Sequence, residues 1–237
     1  MRHIESPALL VRSVAYGESD VIVTLITETH GKVSALVRGG RKSSRRVGGA
    51  LEPLHTIEVK LDDRGGDLAT LREAKILRVR AKVATDLEAL DAAGTMLRWA
   101  RHLFPARHAE PRAYATTEAL LDALEKGRGS PRAALAEAAL RLLGDVGYGL
   151  DFDQCVKCGK ACPPTRSAFI DPSRGGLVCR TCGGARRVIA ADVRSVGRKI
   201  HRGEAHEMTA EEAEELLAIA DEAMAAHTGF EPGSGGR

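Results

Sequence analysis

The sequence predicts an α+β protein. An N-terminal five-stranded OB-type β-barrel is followed by a helical C-terminal domain with an inserted four-cysteine zinc module. Three observations carry this reading. Residues 4–79 fall into short runs rich in β-branched residues and Leu, several alternating apolar with polar. From residue 84 the apolar residues recur at helical spacing. Two Cys-x-x-Cys pairs, Cys155/Cys158 and Cys179/Cys182, stand twenty residues apart, the spacing of a four-thiolate zinc site. The expected domains are 1–83 (barrel, nucleic-acid binding) and 84–228 (helical, with the zinc module at 152–187). Residues 229–237 form a Gly-rich polar tail expected to be disordered.

The five strands are centred on Ala8–Val11, Val21–Ile26, Lys32–Val37, Leu54–Leu61 and Leu68–Leu77. In the fourth, Ile57, Val59 and Leu61 point one way and Glu58 and Lys60 the other. Gly17–Asp20, His30-Gly31 and Asp62–Gly66 supply turns. Five short strands in so few residues favour a small closed barrel, commonest as the OB type.

Thr85-Asp-Leu-Glu88 reads as a capping box opening a helix that buries Leu87, Leu90 and Leu97 and ends before Pro105. A second helix carries Tyr114, Leu120, Leu121 and Leu124 and stops at Gly127. Ser130-Pro131 caps a third, with Leu135, Ala139, Leu142 and Val146 inward. After the cysteine module, Asp192–Arg202 is helical with Val193, Val196 and Ile200 inward, and Thr209-Ala-Glu-Glu212 caps a last helix to about Thr228. The helices are expected to build mostly one core, with the zinc module as a stiff arm.

Each knuckle folds two thiolates toward one point, and two knuckles supply the corners of a tetrahedron. With all four positions taken by Cys155, Cys158, Cys179 and Cys182, no corner is open to water, so the Zn2+ is expected to be structural. The competing reading is four buried thiols or two disulfides. Cys162 is a fifth thiol. Its spacing lets it replace Cys158, though Cys-x-x-Cys is the commoner arrangement.

Charge is uneven. Residues 1–83 carry 15 Lys and Arg against 10 Asp and Glu, and residues 84–237 carry 20 against 22. An anionic partner is thus expected at the front of the chain. The sharpest functional signal lies between the third and fourth strands, where Arg38, Arg41, Lys42, Arg45 and Arg46 place five cations in nine residues among Gly and Ser. Such a loop on a small barrel suits phosphate contact with single-stranded nucleic acid; the bland alternative is a solvated loop. Tyr16 is the sole aromatic residue in 1–83, so stacking is limited and binding should be phosphate-led and salt-sensitive. A second basic set includes Arg186, Arg187 and Lys199, with Arg194, Arg198 and Arg202 on one helix face. It reads equally well as a second DNA contact or as an exposed amphipathic face.

Other chemistry is not expected. No P-loop, nucleophile elbow or metal-spaced His pair occurs, and Glu211, Glu212, Glu214 and Glu215 suit the start of the last helix. His55 reads as a packed strand residue. No apolar run approaches the roughly 18 residues of a membrane span, no signal pattern opens the chain, and thiols in metal spacing suit the cytosol.

Three stretches in order resemble the RecO family of bacterial recombinational-repair mediators: Thr29–Ser34 through the basic loop into Gly49–Leu54; Gly66-Asp-Leu-Ala-Thr-Leu-Arg-Glu-Ala74; and Phe152–Gly159 with Phe169 and Gly175–Cys182. The resemblance spans nearly the whole chain. It implies an OB-fold, a helical domain and a structural zinc module. It further implies binding of single- and double-stranded DNA, ATP-independent annealing, and RecA loading with RecR and single-strand-binding protein. The protein would be no enzyme and would work in the cytoplasm, nucleoid-associated. In the family the tail of single-strand-binding protein docks on the helical domain. The alternative function is a zinc-containing, sequence-specific transcription or RNA-binding factor.

Overall fold

The computed structural model describes residues 1–41 and 51–229. Lys42, Arg45 and Arg46 of the basic loop, and the tail beyond Gly229, lie outside the described residues. The chain divides into two compact units, 1–127 and 128–237.

The first unit opens with β1 (Arg2–Tyr16), β2 (Asp20–Thr27), β3 (Gly31–Val37), β4 (Thr56–Asp63) and β5 (Ala69–Arg78). They close a barrel in the order β1-β2-β3-β5-β4, with β4 returning to β1. All pairs are antiparallel except β3 with β5. Inward residues interlock as the alternation requires: Ala8, Leu10, Val23, Leu25, Val33, Ala35, Ile57, Val59 and Leu61 form one core. β1 is far longer than its apolar centre suggests. Residues 2–9 pair with β4 and 8–16 with β2, and a bulge between Leu10 and Arg12 bends the strand between these two partners.

Two helices complete this unit, α1 (Leu87–Leu103) and α2 (Pro111–Lys126). The capping box expected at Thr85 does not form. Asp86 caps α1 by accepting from the N–H groups of Glu88 and Ala89, while Thr85 closes a preceding 3-10 turn. The buried face accordingly runs through Ala89, Ala92, Ala93, Met96, Leu97 and Ala100, and Leu87 (81% exposed) and Leu90 lie outside it. Alanines let α1 lie close against β1 and β2, where the outward-facing pair Leu9 and Ile26 is fully buried.

The α1–α2 connection clasps the start of β3. Lys32 N–H donates to the Pro105 carbonyl (3.1 Å), Arg107 N–H to the Lys32 carbonyl (3.0 Å), and Lys32 Nζ to the Arg101 carbonyl at the end of α1 (2.8 Å). Burial, with Arg101 nearby, lowers the Lys32 pKa. Beyond β5, the fully buried Arg80 donates to Asp122 (2.8 Å), Glu118 (3.0 Å) and the Leu54 carbonyl (2.7 Å), tying the barrel to α2.

The second unit holds α3 (Pro131–Asp145), then β6 (Asp151–Cys155), β7 (Ala168–Asp171), β8 (Gly176–Leu177) and β9 (Arg187–Ile189), then α4 (Ala191–Arg202) and α5 (Ala210–Thr228). The short strands form a sheet in the order β6-β8-β7-β9. The three helices pack on one another through Leu135, Leu142, Leu216, Ile219, Ala220 and others. Thr209 and Glu212 form the expected capping box of α5. α1 and α2 fall in the barrel's unit, and α3 to α5 in the unit with the cysteine module. Among the described residues no helix is long and apolar enough to cross a membrane.

Candidate metal centre and nucleic-acid interface

Two knuckles build the metal centre. The first follows β6: Cys155 N–H donates to the Lys160 carbonyl (2.9 Å), and Gly159, at φ 71°, returns its N–H to the Cys155 carbonyl (2.8 Å). The second is the 3-10 turn Arg180–Cys182, in which the N–H groups of Cys182 (2.9 Å) and Gly184 (3.0 Å) both reach the Cys179 carbonyl. A side chain on Gly176 would come within 2.5 Å of the Asp151 carbonyl, so this glycine allows β8 to close on β6 and bring the knuckles together.

The Sγ atoms of Cys155, Cys158, Cys179 and Cys182 all lie within 4.8 Å of one another, and Cys158 Sγ is 3.7 Å from Cys179 Sγ. Zinc–thiolate bonds of about 2.3 Å put tetrahedron corners about 3.8 Å apart, whereas a disulfide needs about 2.05 Å. The donor set therefore fits a metal ion. Cys162 stands outside this cluster.

The surrounding N–H groups favour the thiolate at Cys155 and Cys179. The Cys179 N–H donates to Cys155 Sγ (3.3 Å). That bond, with further N–H groups of Lys157 and Cys158, brings the Cys155 thiol down to about 6 against the opposing effect of burial. The Cys182 N–H likewise lowers Cys179. Hydrogen bonds with Cys179, then Cys158, push Cys182 up to about 12. A cation held by the four sulfurs would supply what the Cys182 thiol needs to ionise.

In the expected second DNA stripe Arg194 is turned inward, Arg198 is half-buried and Arg202 is exposed. Arg194 is 1% exposed. Its guanidinium donates to the carbonyls of Arg166 (2.7 Å), Pro163 (2.7 Å) and Cys162 (3.2 Å), and to Cys162 Sγ (2.7 Å). It cannot meet a phosphate, because its donors hold the segment that links the knuckles. Arg202 pairs with Asp153 at 2.6 Å, with Arg198 3.8 Å from the same carboxylate. Arg187 is paired with Glu222, and Arg186 is exposed. The i, i+4 spacing placed these arginines on one face, but their acceptors come from β6 and the inter-knuckle segment, which spacing does not reveal.

On the barrel, Arg38 and Arg41 are exposed at the root of the β3–β4 loop. The Arg41 N–H donates to the Ser19 carbonyl (2.9 Å) and the Gly39 N–H to Asp20 Oδ1 (2.8 Å), seating this loop against the β1–β2 turn. Neither guanidinium has an ion pair among the described residues.

Fold and site together define an OB-barrel protein that carries a four-thiolate knuckle module in a second, helix-rich unit. Two family descriptions match it: Recombination protein O N terminal over residues 1–80 and Recombination protein O C terminal over 84–235. The chain belongs to the RecO family. It is similar to the DNA repair protein RecO of Geobacter sulfurreducens, 37% identical over 183 residues, which is 77% of this chain and 74% of that protein. The protein of that name in Anaeromyxobacter sp. (strain Fw109-5) is 37% identical over 177 residues, 73% and 68% of the two chains. That of Myxococcus xanthus is 36% identical over 194 residues, 81% and 78%.

Proposed function

We propose that this protein is a DNA repair and recombination mediator. It binds single- and double-stranded DNA, anneals complementary strands without ATP, and helps RecA load together with RecR and single-strand-binding protein. The observation that carries this reading is a cationic loop root on a closed barrel in a chain of the RecO family. Residues 1–83 form the DNA-binding domain, with Arg38, Arg41, Lys42, Arg45 and Arg46 on phosphates. The residues of 84–228 hold the zinc module and receive the tail of single-strand-binding protein. The ion in the four-thiolate centre is Zn2+, and its role is structural. The protein works in the cytoplasm beside chromosomal DNA.

Annealing breaks no covalent bond. Two anionic strands must be held together until they find register, and a cationic surface lowers their repulsion while leaving each strand free to slide. The test is annealing of two complementary fluorescent strands by the purified protein, without nucleotide, at low and moderate salt. Acceleration that fades as salt rises is expected. No acceleration at low salt by folded, metal-loaded protein would overturn the reading.

A further inference from the structure

Five thiols stand near one metal centre that takes four, and the sequence leaves Cys158 and Cys162 as rivals for one corner. The backbone does not separate them. The Cys162 N–H donates to the Asp153 carbonyl (2.8 Å) and Ala161 bridges to Gln154, so Cys162 runs beside β6, the strand that ends in Cys155. Burial does not favour the observed choice either: Cys158 is exposed, and Cys162 is the more covered of the two. Cys162 lines a cavity of about 240 Å3 together with Cys155 and Cys179, with Leu177 and Val178 in its walls. Its side chain therefore has room to turn toward two of the metal's sulfurs. Yet its Sγ stands outside the cluster.

What holds it there is Arg194. One nitrogen of the guanidinium, Nη1, donates to Cys162 Sγ and to the Arg166 carbonyl, both at 2.7 Å, and Nη2 donates to the carbonyls of Pro163 and Cys162. The three carbonyls fix the plane of the guanidinium, so the sulfur must come to it. α4 can deliver this group because Gly197, three residues further on, lets the Phe152 ring of β6 lie where a Cβ would come within 2.8 Å of it. For Cys162 to join the metal, its sulfur would have to abandon a buried charged donor. A metal ion drawn to the sulfur where it stands would meet a fixed positive charge. We infer that Arg194 selects the ligands of the metal centre: it holds Cys162 out of the coordination shell, so that Cys158 completes it. Arg194 is a positioning residue that acts through Cys162. The inference rests on the metal reading of the four thiols and adds to it the reason for this set among five.

The test loads the full chain and its variants with Co2+ and reads the thiolate-to-cobalt charge-transfer absorption, which grows with each sulfur bound. Cys162→Ser should leave the parent's intensity unchanged. Cys158→Ser should lower it by about a quarter, one sulfur of four, because Arg194 still holds Cys162 away. Adding Arg194→Met to Cys158→Ser should restore the full intensity, as Cys162 turns into the vacated corner. Arg194→Gln in the same background should do so too, and it leaves an amide to meet the carbonyls should the Met variant fold poorly. Three-sulfur intensity in both double variants, or loss of cobalt from both, overturns selection by Arg194 while leaving the metal reading intact. So does a loss of intensity in Cys162→Ser. Failure of the unmodified protein to bind Co2+ overturns both.

Discussion

Arg194 shows how a residue's charge can serve the fold rather than a ligand. A guanidinium presents five donors in a rigid plane, and here they hold three carbonyls and a thiol of residues 162–166. Arg194→Met should cost at least about 2 kcal/mol, because hydrogen bonds to a charged group are lost and buried carbonyls are left unmet. Arg194→Lys should not restore it, since an ammonium lacks the planar fork. Melting should report the loss, and the salt dependence of DNA binding should stay as it was; a changed salt slope with unchanged melting would return Arg194 to the DNA surface. At Leu87 the reverse holds. Leu87→Ser should change stability by less than about 0.5 kcal/mol, because a side chain read from the sequence as core is 81% exposed. The true face of α1 is largely alanine, which gives hydrophobic periodicity little contrast to detect.

Strands and knuckles were the elements most legible in the sequence, because their chemistry is local. Alternation at Ile57, Val59 and Leu61, and pairs of Cys two residues apart, are visible within a few residues. The length of β1 was not, since the bulge at Leu10/Arg12 shifts the inward set from one parity to the other and breaks the alternation that marks a strand. Nor was the clasp on β3. Gly31 sits at φ 64°, and a Cβ there would stand 1.9 Å from the His108 carbonyl. Gly31→Ala should destabilise the first unit by roughly 2–4 kcal/mol, from left-handed strain and overpacking together, read as a fall in melting temperature. In the second unit the four thiols act as one element. Cys179→Ser should lower metal content and melting temperature together, since structural zinc contributes on the order of 10–16 kcal/mol of apparent binding free energy. Unchanged melting would argue that the centre does not support the fold.

At the scale of the molecule, the sequence showed a basic front and an acidic back, and the structure shows which of the described charges are engaged. The Arg72 and His3 side chains hold Asp62 below the ordinary carboxylate range, and the Gly65 N–H and then Arg107 do the same for Asp63. For Asp122, burial pushes the other way but Arg80 and Arg78 prevail. Groups lowered on folding contribute stability above their unfolded pKa of about 4 and lose it as pH falls through the folded value. What these three carboxylates contribute to the first unit should therefore be lost in the acid range below about pH 4. Arginines bound this way release no counterions, so the salt dependence of binding should count the free ones alone. If Arg38, Arg41, Lys42, Arg45 and Arg46 each neutralise a phosphate, log K against log salt for a single strand should have a slope of roughly −3.5. Replacing Arg41, Lys42 and Arg45 by Ala should bring it to roughly −1.4. Replacing Arg198 and Arg202, which share Asp153, should leave it unchanged. A slope that responds to Arg198 and Arg202 but not to the loop would move the binding surface to the second unit, and the basic loop would then be a solvated turn.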